Sequence, residues 1–323
     1  MLTPVTSANL LATANLGLTD LVQFDIASLS PLAVAAVLCL AVYLIGAISL
    51  WSAGARWSIP ATISFGLGCA AWFASTGLSL NSYAEELVSV LLFQQITLLV
   101  VVPPLLLMGS PGRLLLRATP HRGLGVPLLR TALSSYRSRA AHALLHPGVA
   151  IVVAVVAFPG LYFSDAISWV LAVPGGHVIL LTLLLIFGVI AAAPLWALDP
   201  MPRKPSYAVR LIDVLIEIQI HALFGLMLLR AGGAMFSWYA DEPTAWGITR
   251  ELDQAIGGSL AWSYGELPLL IVLIVTLSKW RKSDIRSAPR RRPQEDADLD
   301  DYNEYLAAMA ERAARSSEKE GSR

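Results

Sequence analysis

Seven stretches of this chain stay apolar for about 20 residues, the length an α-helix needs to cross a hydrocarbon core of about 30 Å. They run over 31–51, 58–80, 87–108, 147–169, 177–198, 211–229 and 257–277. The pattern predicts an all-α integral membrane protein, a seven-transmembrane helix bundle occupying residues 31–280. Residues 1–30 lack the basic start of a secretory signal, and Asn9, Asn15, Asp20 and Asp25 interrupt their apolar run, so an external N-terminal segment is expected there. Residues 281–323 form a charged tail. In it Tyr302, Tyr305, Leu306, Met309 and Ala313 recur at helical spacing behind an acidic turn, as in a short solvated helix or a docking helix for a cytoplasmic partner.

Composition supports the membrane reading: of 323 residues, 56% are hydrophobic and 14% charged, too apolar for an ordinary soluble domain. Net charge is zero, so orientation has to come from where the charges fall. The 23 Lys and Arg divide as one in the first loop, none in the second, six in the third, none in the fourth, three in the fifth, two in the sixth and eleven in the tail. Basic loops stay in the cytoplasm. The N-terminus is therefore expected outside and the C-terminus inside. The third loop, 109–146, carries six arginines and no acid, interleaved with leucines. It reads as basic amphipathic helices on the inner leaflet facing anionic lipid. That placement explains the charge without nucleic acid.

Cys39 and Cys69 sit in the middle of the first two spans and read as small packing residues. No internal repeat, phosphate loop, zinc-type cysteine–histidine spacing or Ser–His–Asp arrangement is present, and no enzyme activity is expected.

Polar residues inside the spans carry the candidate chemistry, because a charge in hydrocarbon costs at least ~2.5 kcal/mol and is retained only with a task or a partner. Asp213, Glu217 and His221 stand four residues apart on one face of the sixth span, above Arg210. At about 1.5 Å per residue, Gln95, His221 and Glu266 fall at a similar depth, about 12 Å in. With Gln94, Glu217, Asp253, Gln254, Trp262 and His177 nearby, they are expected to line a polar cavity open to the outer face. Such a cavity either binds a metal weakly or is a hydrogen-bonded core.

The run Asp253, Gln254, Gly257, Gly258 and Trp262 resembles the terminal motif of the CtaG-type cytochrome c oxidase assembly factors. Tyr43-Leu44, Pro103-Pro104-Leu105 with Gly109 and Pro111, Gly160-Leu161-Tyr162-Phe163, Gly176-His177, Asp199-Pro200-Met201-Pro202, His221 to Gly225, Gly265-Glu266-Leu267-Pro268 and Leu299 to Leu306 extend the likeness. It is to the actinobacterial form, often fused behind a CopD-type domain; no CopD-like half is expected ahead of it here. The resemblance implies a factor of the bacterial plasma membrane that contacts cytochrome c oxidase subunits or other assembly factors and assists copper insertion. Most family histidines are missing: Leu91 and Gln95 stand where a third-span His-Met-x-x-His signature would fall, Leu183 replaces a histidine in the fifth span and Leu180 a methionine. Any copper role implied by the resemblance rests on the two surviving histidines, His177 and His221, to which the outer half of the membrane adds Glu266 as a candidate metal donor. A metal-free scaffold of the oxidase, or a small proton-coupled or metal transporter, are the alternatives.

Overall fold

The computed structural model describes residues 22–24, 29–123, 125–196, 205–236, 239 and 247–321, with side chains undescribed at 136, 286–298 and 310–321. Most of the external segment, the Asp199–Pro202 stretch and residues 237–238 and 240–246 of the sixth loop lie outside the described residues. Among those described, every regular element is helical. In chain order they are α1 (Pro31–Ser52), α2 (Ile59–Gly77), α3 (Leu80–Tyr83), α4 (Val88–Met108), α5 (Pro111–Ala118), α6 (Gly125–Tyr136), α7 (Arg139–Leu144), α8 (Gly148–Gly160), α9 (Ala166–Ala172), α10 (Gly176–Trp196), α11 (Tyr207–Arg230) and α12 (Arg250–Gly321). Contacts divide the chain after Leu273; the second unit, from Ile274, is helical through Gly321.

Six helices are long and apolar enough to cross a membrane: α1, α2, α4, α10, α11 and, in α12, Arg250–Ile285. The fourth expected span, 147–169, differs. Its apolar helix α8 is a shorter one, ending at Gly160, and the chain then passes through a turn at 163–165 into α9. Pro159 lies in a π turn, Val156–Gly160, that ends α8. Proline lacks the N–H and crowds the preceding turn, so the regular ladder stops there. At about 1.5 Å per residue α8 covers roughly 20 Å, well short of the hydrocarbon core.

α4 is the central helix, with 72% of its apolar window buried against 28–44% for the other spans. It too contains a π turn, Thr97–Val101, just before Pro103 and Pro104. The two prolines remove the N–H groups that would bond Leu99 and Val100, and the wider turn absorbs the mismatch. Gly188 of α10 packs on this irregular backbone. A Cβ there would meet the Leu99 carbonyl at 2.5 Å, so only glycine allows the approach. At one end, the Tyr43 hydroxyl donates to the Gly109 carbonyl at 2.8 Å, while the Tyr43 and Phe65 rings stack at 3.9 Å. A Cβ on Gly109 would strike Phe65 at 2.7 Å. Two of the resemblance stretches, 66 residues apart, thus form one joint between α1, α2 and the end of α4.

Candidate functional site

Helix ends leave backbone groups without partners, and inside a membrane protein those groups need protein donors and acceptors. The start of α4 has no cap of its own: Leu87 occupies the cap position and offers no side-chain acceptor. Asp253, near the start of α12, provides it across the fold. Its carboxylate accepts from Val88 N at 2.7 Å and Ser89 N at 3.1 Å, and the Ser89 hydroxyl donates to the same carboxylate. The neighbouring Gln254 does the converse for α11. Its amide donates to the Leu228 carbonyl in the last turn of α11 at 3.2 Å and to Gly233 at 3.4 Å, and its oxygen accepts from Met235 N at 2.7 Å. Two adjacent side chains therefore fasten the start of one span and the end of another. Tyr239 closes the same end: its hydroxyl donates to the Ala84 carbonyl at 2.5 Å, and burial holds its phenol well above the ordinary tyrosine range, so it stays a donor.

The glycines that follow in this motif let helices touch. A Cβ on Gly258 would lie 2.7 Å from the Gly225 carbonyl, one on Gly225 would lie 2.6 Å from the Gly258 carbonyl, and one on Gly257 would strike Leu92. α11 and α12 cross backbone to backbone here, the small-residue packing membrane helices favour where lipid gives no hydrophobic drive. Further along, Ala261, Gly265, Leu269 and Val272 continue the buried seam of α12. Trp262 presents its backbone to Gly225 while its side chain is 49% exposed, so it does not line the polar interior.

The expected single cavity is divided, because consecutive residues on a helix face different ways. Gln94 turns to one side: its amide donates to the Ser75 carbonyl at 2.7 Å and to Asn81 at 3.2 Å, and its oxygen lies 2.9 Å from Nε2 of His177. The His177 Nδ1 is 3.9 Å from the Glu85 carboxylate. Gln95 turns to the other: it donates to the Ala157 carbonyl at 2.7 Å and accepts from the Tyr162 hydroxyl at 3.1 Å. The π turn of α8 exposes that carbonyl, so the irregular helix and Gln95 complete each other.

His221 lies next to this second cluster. Its ring meets Phe158 edge-on at 4.3 Å, its Nδ1 is 2.9 Å from the Glu217 carbonyl, and a Cβ on Gly265 would sit 3.4 Å from it. Gln95 and His221 thus come to one region, and Gly265 of α12 faces the imidazole, while the Oε1 of the adjacent Glu266 is buried without a hydrogen-bond partner among the described residues. Glu266 is one position off the seam and only partly buried. Glu217 and His221 line a cavity of about 40 Å³ walled by α4, α8, α10 and α12 residues such as Val100, Ala154, Leu195 and Leu269. That is room for water, given polar partners. The Glu217 Oε1, the His221 Nε2 and both Asp213 oxygens have no hydrogen-bond partner among the described residues.

A copper centre needs converging imidazole, thiolate or thioether donors. Among the described residues no three His, Cys, Asp or Glu side chains gather as a metal would require. His177 is engaged by Gln94 and faces Glu85; His221 is engaged by its own helix and by Phe158. The described residues do not compose a copper centre of three such donors. The joints at Tyr43–Gly109, Gln95–Tyr162 and Tyr239–Ala84 were not foreseen as pairs. Tyr43, Gln95 and Tyr162 show in the sequence as polar or aromatic residues inside apolar spans, whereas Tyr239 lies in the sixth loop and carries no such mark.

The fold and its interior define a multi-pass helical membrane protein whose motif residues cap and join its helices. The chain belongs to the cytochrome c oxidase caa3 assembly factor family (Caa3_CtaG), which residues 41–283 match. Uncharacterized proteins of Mycobacterium bovis, Mycobacterium tuberculosis and Mycobacterium leprae are each 28% identical over 274 residues, covering 83% of this chain. The chain spans 42% of the length of each of these relatives. No solved structure matches it.

Proposed function

We propose that this chain assists cytochrome c oxidase assembly in the bacterial plasma membrane as a membrane-embedded scaffold, associating with oxidase subunits or other assembly factors without itself holding the copper. The observation that carries this reading is the division of the two intramembrane imidazoles between separate clusters. The motif residues Asp253, Gln254, Gly257 and Gly258, which carry the resemblance, meanwhile join α4, α11 and α12.

The same reading includes seven crossings with the C-terminus in the cytoplasm. The starts of α4, α10 and α12 and the end of α11 meet around Asp253, Gln254 and His177 at one end of the bundle. Trp57 stacked on Arg117, and Arg210 bonded to the Leu195 carbonyl, mark the other. To reach His177 from the arginine-rich third loop the chain must pass between these ends once, through α8 and the segment after it. The arginines assign their end to the cytoplasm.

Copper delivery is the rival, and it rests on the family resemblance. The deciding experiment is oxidase activity in a deletion strain complemented with variants, at low and high copper. For a scaffold, added copper does not rescue the deletion, His221→Ala and His177→Ala retain most activity, and Asp253→Ala loses it with the protein level. Copper rescue together with a His221→Ala defect would establish delivery instead. Full oxidase activity in the deletion strain would remove an assembly role altogether.

A further inference from the structure

The loop between α4 and α8 holds a feature beyond general basicity. α5 is tied to the bundle: Leu114 packs where a Cβ on Gly46 would lie 3.3 Å away, and Arg117 sits over the Trp57 ring at 5.9 Å. α6 follows after a short turn, and α7 returns the chain to α8. One face of α6 and the preceding turn enclose a groove of about 630 Å³ lined by His121, Val126, Leu129, Arg130, Leu133 and Arg137, with Ser134. In α6 these positions recur at three and four residues and share one side of the helix.

An amphipathic surface helix normally keeps its cations and apolar residues on opposite faces. Here both line the same groove. Val126 and Leu133 are 37% and 39% exposed, and Arg130, Arg137 and His121 are exposed beside them. No Asp or Glu occurs anywhere in 109–146 to neutralise these cations. A ligand that satisfies both features carries a negative headgroup and a hydrocarbon chain. Arginine's planar fork suits a phosphate, and the volume lies in the range of small-molecule sites. A bare anion would leave the apolar lining wet, and an uncharged lipid would leave the arginines uncompensated.

We propose that this groove is a binding site for a single anionic phospholipid, with Arg130 and Arg137 holding the phosphate, His121 at its edge, and Val126, Leu129 and Leu133 along the upper acyl chain. Its location next to α5 places it where the inner leaflet would meet the protein. The site is separate from the residues that join the spans, so altering it leaves the assembly of the bundle intact.

The test uses the purified full-length protein in detergent, titrated with phosphatidylglycerol or phosphatidylcholine of the same chain length, with bound lipid counted by native mass spectrometry. One phosphatidylglycerol should be retained in preference to phosphatidylcholine. The double variant Arg130→Gln/Arg137→Gln should weaken it about thirtyfold, as expected for two interfacial cations. Arg281→Gln/Lys282→Gln, two exposed cations of the tail, should leave it unchanged. A photoactivatable phosphatidylglycerol should label peptides within 121–137. Equal retention of both lipids, or equal loss in the tail variant, would overturn the proposal. So would displacement of the lipid by inorganic phosphate at matched ionic strength, since that would identify a free-anion site.

Discussion

At the residue scale, position on a helix face decides what a polar side chain does. Asp253 caps a helix 165 residues away. Asp253→Ala should therefore cost about 1–2 kcal/mol for the lost cap, and more if the freed N–H groups stay buried. A lowered thermal midpoint in detergent, partly restored by Asp253→Asn, would confirm this; an unchanged midpoint would refute it. Gly258→Leu should be worse, because the clash at 2.7 Å is with backbone that cannot rotate away. It is expected to prevent accumulation of folded protein, seen as loss of the monodisperse peak on size exclusion. Glu266, off the seam and only partly buried, is different. Glu266→Leu should be neutral or slightly stabilising for the isolated fold, since removing a poorly solvated charge need not destabilise. If its midpoint falls as far as that of Asp253→Ala, Glu266 has a structural partner of equal weight.

At the element scale, α1 and α2 form an antiparallel pair whose register is fixed at two points. Tyr43 stacks on Phe65, and a Cβ on Gly77 would touch Ala33 at 2.8 Å. Cys39 lies one turn before Tyr43 and Cys69 one turn after Phe65, so in the antiparallel pair the two thiols come to the same level. A mild oxidant such as copper phenanthroline should cross-link them within one chain, giving a faster-migrating band that Cys39→Ser abolishes. Failure to link under conditions that oxidise a control pair would mean the register is wrong. The irregular helices follow from proline chemistry: Pro103-Pro104 follow one π turn and Pro159 lies inside the other. At α8 the irregular stretch includes the Ala157 carbonyl that Gln95 takes up.

At the scale of the whole molecule, the arrangement of ends yields a topology that can be measured. In a background with both native cysteines replaced, a membrane-impermeant thiol reagent should modify a cysteine placed at Asn81 or Asp241 in intact cells. It should leave one at Gly123 or Pro205 unmodified until the membrane is opened. Reversed labelling would invert the bundle and move the Gln94–His177 cluster to the cytoplasmic side.

The helical, membrane-crossing class and most span limits were legible in the chain because hydrocarbon thickness imposes a length and an apolar composition on any crossing helix. The expected 31–51, 87–108 and 177–198 differ from α1, α4 and α10 by no more than two residues at either end. The family was legible too, because its motif residues sit at fixed spacing. Short-range facts, such as the shared face of Asp213, Glu217 and His221, follow from 3.6 residues per turn alone. What the sequence could not decide was which way each polar side chain turns and what it meets there. Gln94 and Gln95 are adjacent in sequence yet belong to different clusters, and Asp253 and Gln254 serve two different helices. Those outcomes depend on the rotation of each helix against its neighbours. That rotation is fixed by close backbone approaches at Gly188, Gly225 and Gly258, and by long-range hydrogen bonds that leave no periodic trace in the chain.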